Sequence, residues 1–228
     1  LSRGQLPEPD DREILPFEVK ERMPFLPVAL GDRTVSINFD TGASGWLVMP
    51  IDMKDGLRFQ LAPAPGPTTW NNQTGWTRVE IARLAEDLRF GRHTVVNPRI
   101  EIDPAASFPF FGCALLQRFT LTFDMPNKRV RMRGPGEPIH VPGYRTFGIR
   151  LSRAADTWQI SDVIPKSRAA ALGIRPGDVV VTVEKIPSAR LTRESWNTMQ
   201  QGRKEISIEL SRAGRRRVYN LPLKVLGE

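Results

Sequence analysis

The chain has 228 residues, enough for two domains of about 100 residues each. A hydrophobic share of 40% and a charged share of 25% exclude fibrous, low-complexity and disordered classes. No apolar run approaches the roughly 18 residues of a membrane-spanning helix, and the lone cysteine, Cys113, rules out an internal disulfide framework or a cysteine-based metal cluster.

The net charge of +8 is unevenly divided: residues 1–136 carry 17 Lys and Arg against 16 Asp and Glu, while residues 137–228 carry 16 against 9. A basic C-terminal part favours acidic partners, although a charged solvated face would read the same way.

Twenty prolines and eighteen glycines between short apolar runs predict a mainly β chain. Residues 1–15, polar and acidic, read as an extended arm. Phe25–Leu30 and Thr34–Phe39 form a hairpin through Gly31-Asp32. Residues 61–76, rich in Pro, Gly and Asn, predict a loop or hairpin tip. Strand-like runs follow at Thr77–Leu84 and Leu88–Ile102, then a short helix over Ala114–Arg118 and a hairpin about Pro126-Asn127-Lys128.

Gly134-Pro135-Gly136-Glu137-Pro138 opens a natural linker, taken as 135–143, between a domain over 16–134 and another over 144–228. In the latter, Ser167 and Thr192 are candidate N-caps of two helices, and Gly173 stops the first. Ile206–Leu210 and Arg217–Leu221 close as a hairpin through Ala213-Gly214.

Asp40 is the principal catalytic candidate. It follows the apolar strand Val35–Phe39 and enters a turn of small residues, Thr41-Gly42-Ala43-Ser44-Gly45. A carboxylate so placed is partly desolvated and held, which suits proton transfer. Gly42 permits close approach of another chain, and Thr41 and Ser44 offer hydroxyls. Asp–Gly turns are common at strand ends, so the triplet by itself decides little.

Its context adds a resemblance. VSINFDTGASGWLV (35–48) resembles the active-site segment of retropepsin-like aspartic peptidases. Phe110-Phe111-Gly112 before CALLQRF resembles the second signature of that family, and FTLTFDMPNKRVRM its closing strands in bacterial members. The resemblance implies a single acid-protease β-barrel lobe with Asp40, Thr41 and Gly42 as catalytic residues. Ala43, Ser44, Phe111, Gly112 and two flap tryptophans, Trp70 and Trp76, would then meet substrate; tryptophans beside a hairpin also serve packing. No metal and no cofactor is implied. One Asp-Thr-Gly per chain implies a homodimer, because the chemistry takes two carboxylates. Ser44 stands where retroviral enzymes have an acidic residue, and the flap lacks a glycine-rich tip. Ala43 replaces a hydroxyl common in pepsin-like enzymes, which implies an optimum nearer weakly acidic or neutral pH.

DVIPKSRAAALGIRPGDVVVTVEKIP (162–187) resembles PDZ domains of the bacterial protease-associated type. Tyr144–Ile149 is similar to their carboxylate-binding loop, with Phe147, Gly148, Ile149 and Arg150 as peptide-binding residues. The resemblance implies capture of peptide C-termini or acidic peptides as an added strand, to recruit substrate or regulate cleavage. The pairing implies a periplasmic or secreted bacterial location, with any targeting segment outside these residues. Two histidines without a serine elbow give a Ser-His-Asp triad little support; no zinc motif and no nucleic-acid motif accompanies the charge. The competing reading is a non-catalytic dimeric peptide-binding scaffold on the same frame.

Overall fold

A computed structural model describes residues 5–71, 74–154 and 157–228. The chain is mainly β, with only short helices. It divides into two compact units. The first comprises residues 1–63, 81–142 and Gly227; the second comprises 64–80, 143–226 and Glu228. No helix among the described residues is long and apolar enough to cross a membrane.

In the first unit, Met23–Leu30 and Arg33–Phe39 pair antiparallel with Leu30 opposite Arg33. The two-residue turn Gly31-Asp32 follows, with Gly31 at φ +59. Leu26, Val28 and Leu30 alternate with exposed neighbours and point into one core with Val35 and Ile37. A one-residue slip would expose all of them, so burial fixes the register.

Leu47–Pro50 is buried at every position. It pairs on one side with Arg99–Asp103, parallel, and on the other with Phe110–Phe111, antiparallel. An inner strand is covered on both faces, so it reads as a continuous apolar run rather than an alternating one. A separate three-stranded sheet joins Ile14–Pro16 and Thr120–Asp124 to the two edges of Arg129–Arg133. Within the stretch expected as a linker, Ile139–His140 pairs parallel with His93–Val96 and belongs to this unit.

Of the loop or hairpin tip expected over 61–76, most is strand. Phe59–Asn71 and Gly75–Leu84 are neighbouring strands, and Phe59–Asn71 lies at the end of its sheet. Pro63, Pro65 and Pro67 lack N–H donors, and an edge strand is where that lack is tolerated. Asn72 and Gln73, within the same expectation, lie outside the described residues.

The second unit is built on a sheet in the order Ile149–Ala154, Thr157–Val163, Val179–Val183, Glu205–Arg212, Arg215–Pro222. Ser167 caps the helix Arg168–Ala171 by accepting from Ala170 N, and Gly173 follows at φ +75. Thr192 and Ser195 form a capping box on Arg193–Gly202. Phe147 and Trp196, with ring centroids 5.7 Å apart, tie that longer helix to the core. Ala213 and Gly214 both take positive φ, as a tight two-residue hairpin requires.

Asp178, of Pro176-Gly177-Asp178, is buried and is held by Arg212 and by the Arg175 amide. Burial alone would raise its carboxyl; the Arg212 and Arg175 hydrogen bonds outweigh that and hold it below the ordinary aspartate value of 3.8. A carboxyl lowered by folding contributes stability that is whole above its unfolded value and lost as pH falls through its folded one. The stability gap between wild type and Asp178→Asn is therefore expected to be full at neutral pH and to close progressively below about pH 4. Urea midpoints taken between pH 7 and pH 2 measure it, and a gap unchanged by acid would refute the pairing as its cause.

Candidate active site

Asp40 leaves the strand Arg33–Phe39 and donates its backbone N–H to Phe111 O at 3.0 Å. Its Oδ1 accepts from the amides of Gly42 (2.9 Å) and Ala43 (3.1 Å). The turn thus folds back on the carboxylate and orients it with backbone alone. Asp40 is half-buried, and Thr41, Gly42 and Ser44 are exposed.

The loop is fixed from below by an unusual cap. The short helix Cys113–Leu116 has no side-chain cap at Gly112, leaving the first amides of the helix without intrahelical partners. Those amides go to the Asp40 loop instead. Gly112 N donates to Trp46 O (3.1 Å), Cys113 N to Ala43 O (2.7 Å) and Ala114 N to Gly45 O (3.1 Å). Contact is so close that a Cβ on Gly112 would lie 2.2 Å from Gly45 O and 2.7 Å from its carbonyl carbon. Only glycine fits there.

Phe110–Phe111 completes the frame by lying between the strand entering the loop and the strand leaving it, with Phe111 opposite both Phe39 and Leu47. Phe111 was expected to meet substrate. Its side chain is wholly buried among Phe39, Phe90 and the core, so only its carbonyl serves the site, as the acceptor for Asp40 N. Position between two strands forces the ring inward.

Two further polar residues support the loop and were not singled out in the sequence. Asn38 is buried; its N–H donates to Pro109 O and its Nδ2 to Pro24 O at 2.9 Å. Glu101 has its carboxylate against Gly45, 3.4 Å from where a Cβ would be. Burial raises its carboxyl; Arg99, at 3.4 Å, opposes that rise, and Asp103 adds to it. A polar residue interrupting an apolar strand was the available signal for Asn38. Glu101 had none.

The expected site residues therefore fall into three groups. Asp40, Thr41, Gly42, Ala43 and Ser44 share one loop held by Phe111 and Gly112. Trp70 and Trp76 belong to the second unit, as an exposed pair with ring centroids 5.4 Å apart. Phe147 and Ile149 are buried, while Gly148 takes φ +80 and a Cβ there would meet Ser167 at 2.7 Å. Thr146 Oγ1 accepts from Gly148 N at 3.0 Å and fixes the loop. The strand that follows, Ile149–Ala154, ends its sheet, so its outer edge has no strand partner among the described residues. No cluster of His, Cys, Asp or Glu fit to hold a metal occurs among the described residues.

No protein-family model matches the sequence, and no curated protein matches it. Among solved structures, the chain is similar to a retropepsin-like aspartic protease from Rickettsia conorii, at 15% identity over 52% of this chain and 87% of that one, with a TM-score of 0.37. It is similar to the HtrA3 PDZ domain bound to a phage-derived ligand, at 18% identity over 36% of this chain and 88% of that one, with a TM-score of 0.32. A PDZ domain protein from Parabacteroides distasonis matches at 15% identity over 37% of this chain, with a TM-score of 0.33; the chain spans only 21% of that protein.

Proposed function

We propose that the chain is an aspartic endopeptidase active as a homodimer, in which each protomer supplies one Asp40. The observation that carries this reading is the Asp40 carboxylate itself, aimed by two backbone amides and set in a loop clamped by the amides of residues 112–114.

The chemistry requires two such groups about 3 Å apart, which share one proton because both cannot ionise together. The ionised carboxylate takes a proton from a water as its oxygen bonds to the scissile carbonyl carbon. The protonated one gives its proton to the carbonyl oxygen. Collapse of the tetrahedral adduct then breaks the C–N bond as the leaving nitrogen receives a proton, giving a free acid and a free amine. A two-fold axis beside the exposed Thr41 and Gly42 supplies the second carboxylate. Trp70 and Trp76 are the hairpin side chains offered to a peptide. The second unit binds peptide tails as a strand added to Ile149–Ala154, a terminal carboxylate being received by backbone amides at Phe147, Gly148 and Ile149; its basic surplus favours acidic sequences.

A shared site makes activity depend on assembly. Hydrolysis of a casein-derived peptide pool is expected to lose specific activity on dilution in step with the dimer fraction measured by sedimentation. A strictly monomeric protein of undiminished specific activity would refute the shared dyad.

A further inference from the structure

The second unit contains a polar cluster outside the Asp40 loop, and it shares only Arg150 with the residues read as peptide-binding. Its centre is Asp162, only 4% exposed. Asp162 Oδ1 accepts from Arg78 Nη2 at 2.6 Å, and Oδ2 accepts from Thr68 N at 2.9 Å and from Arg78 Nη1 at 3.3 Å. Arg78 also donates to Gly66 O (2.7 Å) and Val163 O (3.4 Å). One buried carboxylate therefore gathers both strands of the hairpin 64–80, through Thr68 on one and Arg78 on the other.

A bulge lies beside it. Arg150 stands opposite Asp162 but Leu151 stands opposite Ile160, so Ser161 is an extra residue in its strand. Bulges re-aim side chains. This one brings Asp162 into line with Arg150, while Ile160 remains in the core with Leu151 packed against it.

Arg150 completes the cluster. Its Nη1 donates to Thr68 O at 2.8 Å, and its guanidinium lies 4.1 Å from the Trp76 ring centroid. Arg150 is also the second residue of Ile149–Ala154, the strand with the open edge. The hairpin is thus held by a side chain of the strand that would receive an added peptide, Arg150, and by one of the strand paired with it, Asp162.

We propose that Asp162 is a positioning residue for the hairpin 64–80, and that a peptide bound at the edge of Ile149–Ala154 tightens the hairpin through Arg150. This rests on the peptide-binding reading given above. A strand added at that edge fixes the backbone on which Arg150 and, across the bulge, Asp162 stand. Their hold on Thr68, Arg78 and Trp76 becomes more rigid in consequence. Coupling of this kind is reciprocal, so a variant that loses it must also lose the part of the peptide affinity that the coupling supplies.

The test uses the full chain and the tightest peptide selected on it from a phage-displayed library of free-C-terminal heptapeptides. Binding is measured by calorimetry, and hairpin order by hydrogen exchange of the amides in 64–71 and 74–80. In the wild type, the peptide is expected to slow exchange in the hairpin. Asp162→Asn is expected to abolish that slowing and to weaken peptide binding about tenfold, without contact between residue 162 and the peptide edge. Trp76→Leu, at a 55% exposed position where folding is safe, is expected to act in the same direction. Equal affinity and equal peptide-dependent protection in wild type and both variants would overturn the coupling while leaving peptide binding intact. A lowered melting temperature with those two quantities unmoved would overturn it equally. Failure of the wild type to select any peptide would instead overturn the peptide-binding reading, and this inference with it.

Discussion

Asp40→Asn is expected to abolish peptide hydrolysis, by at least about a thousandfold, while leaving the fold intact. Asparagine keeps an oxygen that can accept from the Gly42 and Ala43 amides, so the turn retains its two hydrogen bonds. What it removes is the ability to take and return a proton. Circular dichroism and the urea midpoint should therefore stay within error while turnover vanishes. The variant also reports on assembly. Mixed and re-equilibrated in equal amounts with wild type, it should leave about one quarter of the dimers with two native carboxylates, and activity should follow that quarter. Activity at one half would mean that each chain works alone. Near-normal hydrolysis by the pure variant would remove Asp40 from the chemistry, whereas no hydrolysis by the wild type itself would leave a peptide-binding scaffold as the reading.

Gly112→Ala should be nearly as damaging by a different route. The added methyl would lie 2.2 Å from Gly45 O and 3.1 Å from Ala43 O, both backbone atoms that cannot swing aside. Relief requires the loop to lift from the helix, stretching three hydrogen bonds at once. Overpacking alone costs about 1–3 kcal/mol, and each weakened bond adds about 1 kcal/mol. A loss of roughly 3 kcal/mol or more is expected in chemical denaturation, with activity lost even where the chain still folds. Gly136→Ala is the control, since nothing lies within 4 Å of its added carbon and stability should be unchanged. Equal stability of the two alanine variants would show that the close approach at Gly112 is not real.

Local chemistry made a good part of the molecule legible in advance. The Gly31-Asp32 and Ala213-Gly214 turns, the caps Ser167 and Thr192, and the stop at Gly173 are short-range effects, and each stands as read. The loop from Asp40 to Ser44 was legible because small residues after an apolar strand have few other uses. Residues 61–71 misled because proline and glycine ordinarily mark loops, whereas an edge strand tolerates both. Phe111 misled because a residue beside an active site was taken to face it, when its place between two strands turns the ring inward. Arg78 and Asp162 are 84 positions apart and meet only through the tertiary fold, which no spacing rule anticipates. Glu101 lay hidden for a like reason: its neighbour Gly45 comes from a strand pairing, not from sequence.

The cap shared by the Asp40 loop and the helix Cys113–Leu116 has a kinetic corollary. Because amides 112–114 are satisfied by carbonyls of residues 43–46, neither segment can fray while the other stays whole. The two should open to solvent together, as one cooperative exchange unit, and close together. A partly melted loop is then not an accessible intermediate. The Asp40 carboxylate is either in register or its whole support has gone, and gradual loss of its geometry ahead of unfolding has no structural path.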